Sequence, residues 1–176
     1  MTRRGIVLAL ALVGGCAASE SSRRSDHRYV NHEQGYSVDQ PDGWTTSTDR
    51  GATRFAPTAG SSKQTIVVRS APAPRELTEG KRATRADLVT ATARVLDAMP
   101  GVQLAGPVDL GGGGELDGVR FSLTFVPSGL HATYRRTHVV LFGATRIFHV
   151  IATAPASEPI DEDALKDMVM TLKEEV

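Results

Sequence analysis

Between positions 119 and 125 the chain puts Val119, Phe121, Leu123 and Phe125 on one parity and Arg120, Ser122 and Thr124 on the other. A period of two in apolar side chains is that of a strand with one face in a core and the other in polar surroundings. A helix through the same residues would scatter the four apolar side chains to opposite sides, so the segment argues against one. Two further strands are expected over 132–142 and 146–154, joined by Gly143, Ala144 and Thr145. Both carry apolar residues of either parity, and the run Val139, Val140, Leu141, Phe142 implies a sheet covered on both faces in its middle.

The N-terminal half repeats the strand and turn pattern. Gly35, Tyr36, Ser37 and Val38 read as a short strand, Pro41, Asp42 and Gly43 as a turn whose Pro and Gly fix the backbone, and Trp44 as the opening of the next strand. Residues 45–48, 53–56 and 64–69 continue as strands with hairpin-length connections. A helix is expected over 85–99, capped by Thr84 with Asp87 three residues on, showing Leu88, Thr92, Val95, Leu96 and Met99 on one face and stopped by Pro100 and Gly101. A strand over 102–110 leads into the glycine loop 111–114. The last helix is expected to start near Pro159 and to show Ile160, Ala164, Leu165, Met168, Val169 and Leu172 on one side. The order of four strands, helix, four strands, helix predicts an α+β fold, a mainly antiparallel sheet with helices on both faces.

The beginning of the chain bears on location. Arg3 and Arg4 precede an uninterrupted apolar run over 6–13, too short to span a hydrocarbon core of about 30 Å, which reads as a secretory signal. Gly14 and Gly15 then precede Cys16, and Val13, Gly14, Gly15, Cys16 resembles the bacterial lipobox, whose cysteine is acylated and becomes the new N-terminus. Cleavage after Ala18 would instead discard Cys16; the complete order of cationic start, apolar core and lipobox favours lipidation, as does the hazard of a lone free thiol in an exported protein. The expected organisation is a signal peptide over 1–15, a polar tether over 16–28 and one domain over 29–176. This places the protein in the cell envelope, held to a membrane through the lipid on Cys16, with the leaflet left open.

Charge and side-chain inventory exclude several functions. Lys plus Arg number 20 and Asp plus Glu 20 in the 176 residues, without a basic cluster, so nucleic acid is not an expected partner. One cysteine allows neither an intramolecular disulfide nor a multi-cysteine zinc site. The histidines His27, His32, His131, His138 and His149 form no His-x-x-x-His pair, and neither a metal nor a cofactor is expected. No Gly-x-Ser-x-Gly is present, and the glycine run lacks the Lys of a phosphate cradle, so no catalytic residue is assigned. Asp161, Glu162 and Asp163 are read as the acidic first turn of the last helix. Tyr134, Arg135 and Arg136 with Arg120 and Arg146 are read as a solvent-facing sheet rim. Three side chains remain as candidates for binding. His138 and His149 fall on adjacent strands and can meet across their hairpin, and Trp44, the one tryptophan, belongs either to the core or to a binding surface.

The Gly35 to Val38 strand, the turn Pro41, Asp42, Gly43, Trp44, the turn Leu116, Asp117, Gly118 before a strand, and the closing helix together resemble the PsbP-like group, which includes bacterial DcrB-type lipoproteins. The resemblance covers 29–176. It implies an α/β/α sandwich around an antiparallel sheet, structural roles for Pro41, Gly43 and Trp44, and an accessory, assembly or binding role without catalytic residues. The function expected is therefore that of a membrane-anchored envelope lipoprotein that binds an envelope protein partner or a small ligand. The alternative is a hydrolase-type enzyme built on His131, His138 or His149.

Overall fold

The computed structural model describes residues 27–60, 62–74, 82–110 and 114–175. The expected signal peptide, Cys16 and the tether up to residue 26 lie outside the described residues, as do 111–113 of the glycine loop.

Every paired strand is antiparallel. Strands β3 (Trp44–Asp49), β4 (Ala52–Pro57), β5 (Thr65–Pro72), β6 (Gln103–Leu110), β7 (Asp117–Phe125), β8 (Tyr134–Phe142) and β9 (Arg146–Pro155) form one sheet in the order β3-β4-β5-β9-β8-β7-β6. It consists of two meanders that meet where β5 pairs with β9. Helix α1 (Arg82–Asp97) links them, carrying the chain from β5 near the middle of the sheet to β6 at its edge. The last helix, α2 (Glu162–Thr171), follows β9. Among the described residues no helix is long and apolar enough to cross a membrane.

A second, three-stranded sheet was not anticipated. It consists of β1 (Arg28–Asn31), β2 (Tyr36–Asp39) and the two-residue β10 (Lys173–Glu174), in the order β1-β2-β10. Arg28, assigned to the tether from sequence, is the first residue of β1 and bonds Asp39 Oδ1 at 3.1 Å. Asn31 Nδ2 donates to Thr53 Oγ1 of β4 at 2.9 Å, tying the small sheet to the large one. The turn before β3 closes with Trp44 N donating to the Pro41 carbonyl at 3.2 Å, and Gly43 takes φ +73°, where a side chain would be strained.

Both helix starts differ from expectation. Helix α1 begins at Arg82, so Thr84 lies inside it rather than at its cap. Helix α2 is capped by Asp161, whose Oδ1 accepts from Ala164 N at 3.0 Å, while Pro159 precedes the helix. Glu162 and Asp163 occupy its first turn, where carboxylates complement the exposed N–H groups.

Strand parity divides the core into two clusters. Val139 and Leu141 of β8 join Phe148, Val150 and Ala152 of β9, Phe55, Ile66 and Val68 of β4 and β5, Tyr36 and Val38 of β2, and Leu165 and Met168 of α2. The opposite parity, Val140 of β8 and Ile147 of β9, packs with Val119, Phe121, Leu123 and Phe125 of β7 and with Leu96 of α1. The alternation read from 119–125 therefore buries its apolar set as anticipated. Helix α1 serves the β6, β7 and β8 end of this Val140 face. Towards β4, β5 and β9 the same face leaves Arg54 and Arg69 exposed and Val67 and Ile151 half-buried.

Candidate functional site

The short turn 143–145 sets the register of β8 against β9, with Val140 opposite His149 and His138 opposite Ile151. Side chains two residues apart share a face, so the histidines are diagonal neighbours on the Val140 face. His138 Nε2 lies 2.9 Å from His149 Nδ1, with ring centroids 5.2 Å apart and planes at 69°. The pair stands at the boundary between the part of this face under α1 and the open part beyond it.

Two arginines flank the pair. Arg69 of β5 lies opposite His149. Arg136, two residues before His138 on β8, is held in place from three sides. Its guanidinium carbon stands 4.5 Å from the Phe125 ring centroid, Nη1 contacts Met99 Sδ at 3.8 Å, and Nε donates to Thr153 Oγ1 at 3.3 Å. Burial first, then His149 and Arg136, push the pKa of His138 down to about 3. Burial and Arg69 lower that of His149 as well, and burial and Arg69 lower that of Arg136.

Both imidazoles are therefore neutral at physiological pH. His138 Nδ1 is buried without a hydrogen-bond partner, so the better-satisfied tautomer carries its proton on Nε2 and donates it to His149. A ring with so low a pKa is a poor proton acceptor at neutral pH, and as a neutral ring it lacks the extra proton of a general acid. The third histidine considered, His131, is exposed in the loop between β7 and β8 and does not join the pair.

Trp44 is placed in the other cluster. It is 8% exposed and packs with Phe55, Ile66 and their neighbours, and its remaining edge borders a shallow cleft with Pro57 and Pro159. A separate apolar groove of about 460 Å³ runs between α2 and β6, with Val108, Leu110 and Leu116 facing Val169 and Met170.

The arginine rim read from sequence is split by parity. Arg136 faces the histidines, whereas Arg120 pairs with Glu162 of α2 at 2.9 Å, Arg135 bonds the Ala156 carbonyl at 2.5 Å, and Arg146 bonds Ser70 Oγ at 3.0 Å. The arginines that join Arg136 are instead Arg54 and Arg69, which sequence reasoning missed. Their only local signal was position on strands of known parity; the pairing of β5 with β9 that brings them alongside is long-range. Among the described residues no group of three His, Cys, Asp or Glu side chains is placed to hold a metal ion.

No protein-family model matches the chain, and comparison with curated proteins finds no match. Solved structures do resemble it. A protein from Bacteroides thetaiotaomicron aligns with a TM-score of 0.57 and 13% identity over 85% of this chain and 48% of its own, so the chain spans about half of that structure. LpqN of Mycobacterium tuberculosis, a protein involved in cell envelope biogenesis, aligns with a TM-score of 0.55 and 16% identity over 80% of this chain and 83% of its own. At these identities the likeness is one of fold.

Proposed function

We propose that the protein is a membrane-anchored envelope lipoprotein with a non-catalytic binding or accessory role. On this reading residues 1–15 are a signal peptide, Cys16 carries the lipid, a tether follows, and the domain from 29 onwards binds an envelope protein partner or a small ligand. The domain is read as a PsbP-like α/β/α sandwich, with α1 and α2 on opposite faces of the large sheet.

The observation that carries the non-catalytic part is the contact between His138 and His149. The chain's best-placed pair of candidate catalytic side chains bond each other, and their charged neighbours are arginines, which disfavour the imidazolium that acid and base catalysis would pass through. Support for the envelope comes from the N-terminal segment that leads into Gly14, Gly15, Cys16 and from a fold shared with LpqN, a protein involved in cell envelope biogenesis. The groove beside α2 has the size of a small-ligand site.

Cell fractionation with an activity screen tests this reading. The full chain is expected in the membrane fraction, and Cys16→Ser should lose that association. Ester or amide hydrolysis by the purified chain that disappears in His149→Phe would overturn it in favour of a histidine-based hydrolase.

A further inference from the structure

Across β4, β5, β9 and β8 the register lays side chains out in rows on the Val140 face. One row contains Arg54, Val67, Ile151 and His138; the next contains Arg69 and His149; on the other side lie Thr65, Thr153 and Arg136. The three arginines thus come from three strands and border one depression of about 380 Å³. Its floor is Val67 and Ile151, and the hydroxyls of Thr65 and Thr153 line one side.

None of the three arginines has a carboxylate partner among the described residues, whereas Arg28, Arg85 and Arg120 each hold one. Arg136 is already fixed on Phe125 and Thr153, so little side-chain entropy remains to be lost when an anion arrives. Guanidinium groups offer paired N–H donors that match a tetrahedral oxyanion, and threonine hydroxyls can complete its shell. Strands also hold these donors more rigidly than loops would.

We propose that this open half of the sheet is a binding site for a phosphate group, carried either on a membrane lipid or on a soluble phosphorylated molecule. It deepens the binding role proposed above by naming the ligand chemistry, and it rests on that reading. Arg69 and Arg54 supply exposed, adaptable charge, Arg136 supplies a fixed donor, and the apolar floor seats the organic part next to the phosphate.

The test is titration of the full chain, solubilised in detergent, followed by amide NMR shifts. Inorganic phosphate should give saturable shifts at Thr65, Val67, Arg69 and Thr153. Loss of a charge-assisted hydrogen bond in Arg69→Gln, or separately in Arg54→Gln, should weaken binding about tenfold or more. Arg94→Gln on α1 should leave it unchanged.

Glycerophosphoglycerol, a phosphate diester, separates the two sources. Binding at least as tight as that of inorganic phosphate assigns the site to a lipid headgroup, and binding that is much weaker assigns it to a soluble phosphate monoester. The proposal is overturned if potassium chloride at equal ionic strength produces the same shifts, or if Arg69→Gln and Arg54→Gln both bind phosphate as the parent does. It is also overturned if a hexaglutamate peptide saturates these residues and phosphate does not displace it, since the face would then dock an acidic protein segment. The titration does not depend on acylation of Cys16, so its failure is distinguishable from failure of the lipoprotein reading.

Discussion

His138 Nε2 stands 2.9 Å from His149 Nδ1 across the β8 and β9 hairpin, and the contact requires that at least one of the facing nitrogens be unprotonated. Burial is the main opposition to a proton on either ring, and His149 and Arg136 add to it at His138 while Arg69 adds to it at His149. The pair thus carries a stability that depends on pH.

The sign follows from linkage. An unfolded histidine takes up a proton near pH 6.5, whereas His138 in the folded chain does so only near 3. The unfolded state therefore binds more protons between these values, and folding stability falls as pH drops below about 6.5. By pH 5 the loss from His138 alone should be about 2 kcal/mol relative to pH 8. Urea unfolding at the two pH values checks this, and His138→Phe should flatten the dependence. An unchanged slope in that variant would mean that His138 does not titrate as described.

The meeting of these histidines was legible because it is local: a short turn at 143–145 and two strands of clear parity suffice to bring them together. Burial of Val119, Phe121, Leu123 and Phe125 was legible for the same reason. What depends on distant pairing was not. Lys173 and Glu174 form a strand only because β2 offers an edge to them, and Arg69 meets His149 only because two meanders join at β5 and β9. At the start of α2, Asp161 reads from sequence as a first-turn acid behind Pro159, but its carboxylate bonds Ala164 N and caps the helix. Parity also decides the fate of the arginine rim, sending Arg135 and Arg136 to opposite faces.

Trp44 packs into the larger core cluster, being 8% exposed. Trp44→Ala should destabilise the fold by about 3 to 5 kcal/mol through lost burial and a residual cavity. Urea midpoints of the two forms measure this, and coincident midpoints would remove Trp44 from the core.

Gly118 is set by close approach of neighbouring strands. A Cβ at this position would lie 2.6 Å from Leu141 Cδ2 and 2.6 Å from the Val140 carbonyl oxygen. Gly118→Ala should therefore cost roughly 1 to 3 kcal/mol by overpacking. Thermal unfolding reads this directly, and a midpoint equal to that of the parent would show that β7 and β8 can separate there without strain.

Anchoring through Cys16 is the claim on which the envelope role depends. Intact-mass spectrometry of the protein extracted from producing cells tests it most directly. The account predicts a chain that begins at Cys16 and carries the added mass of its acyl groups, with none of residues 1–15 remaining. A chain beginning at Ser19, after cleavage following Ala18 and with no lipid attached, would contradict it.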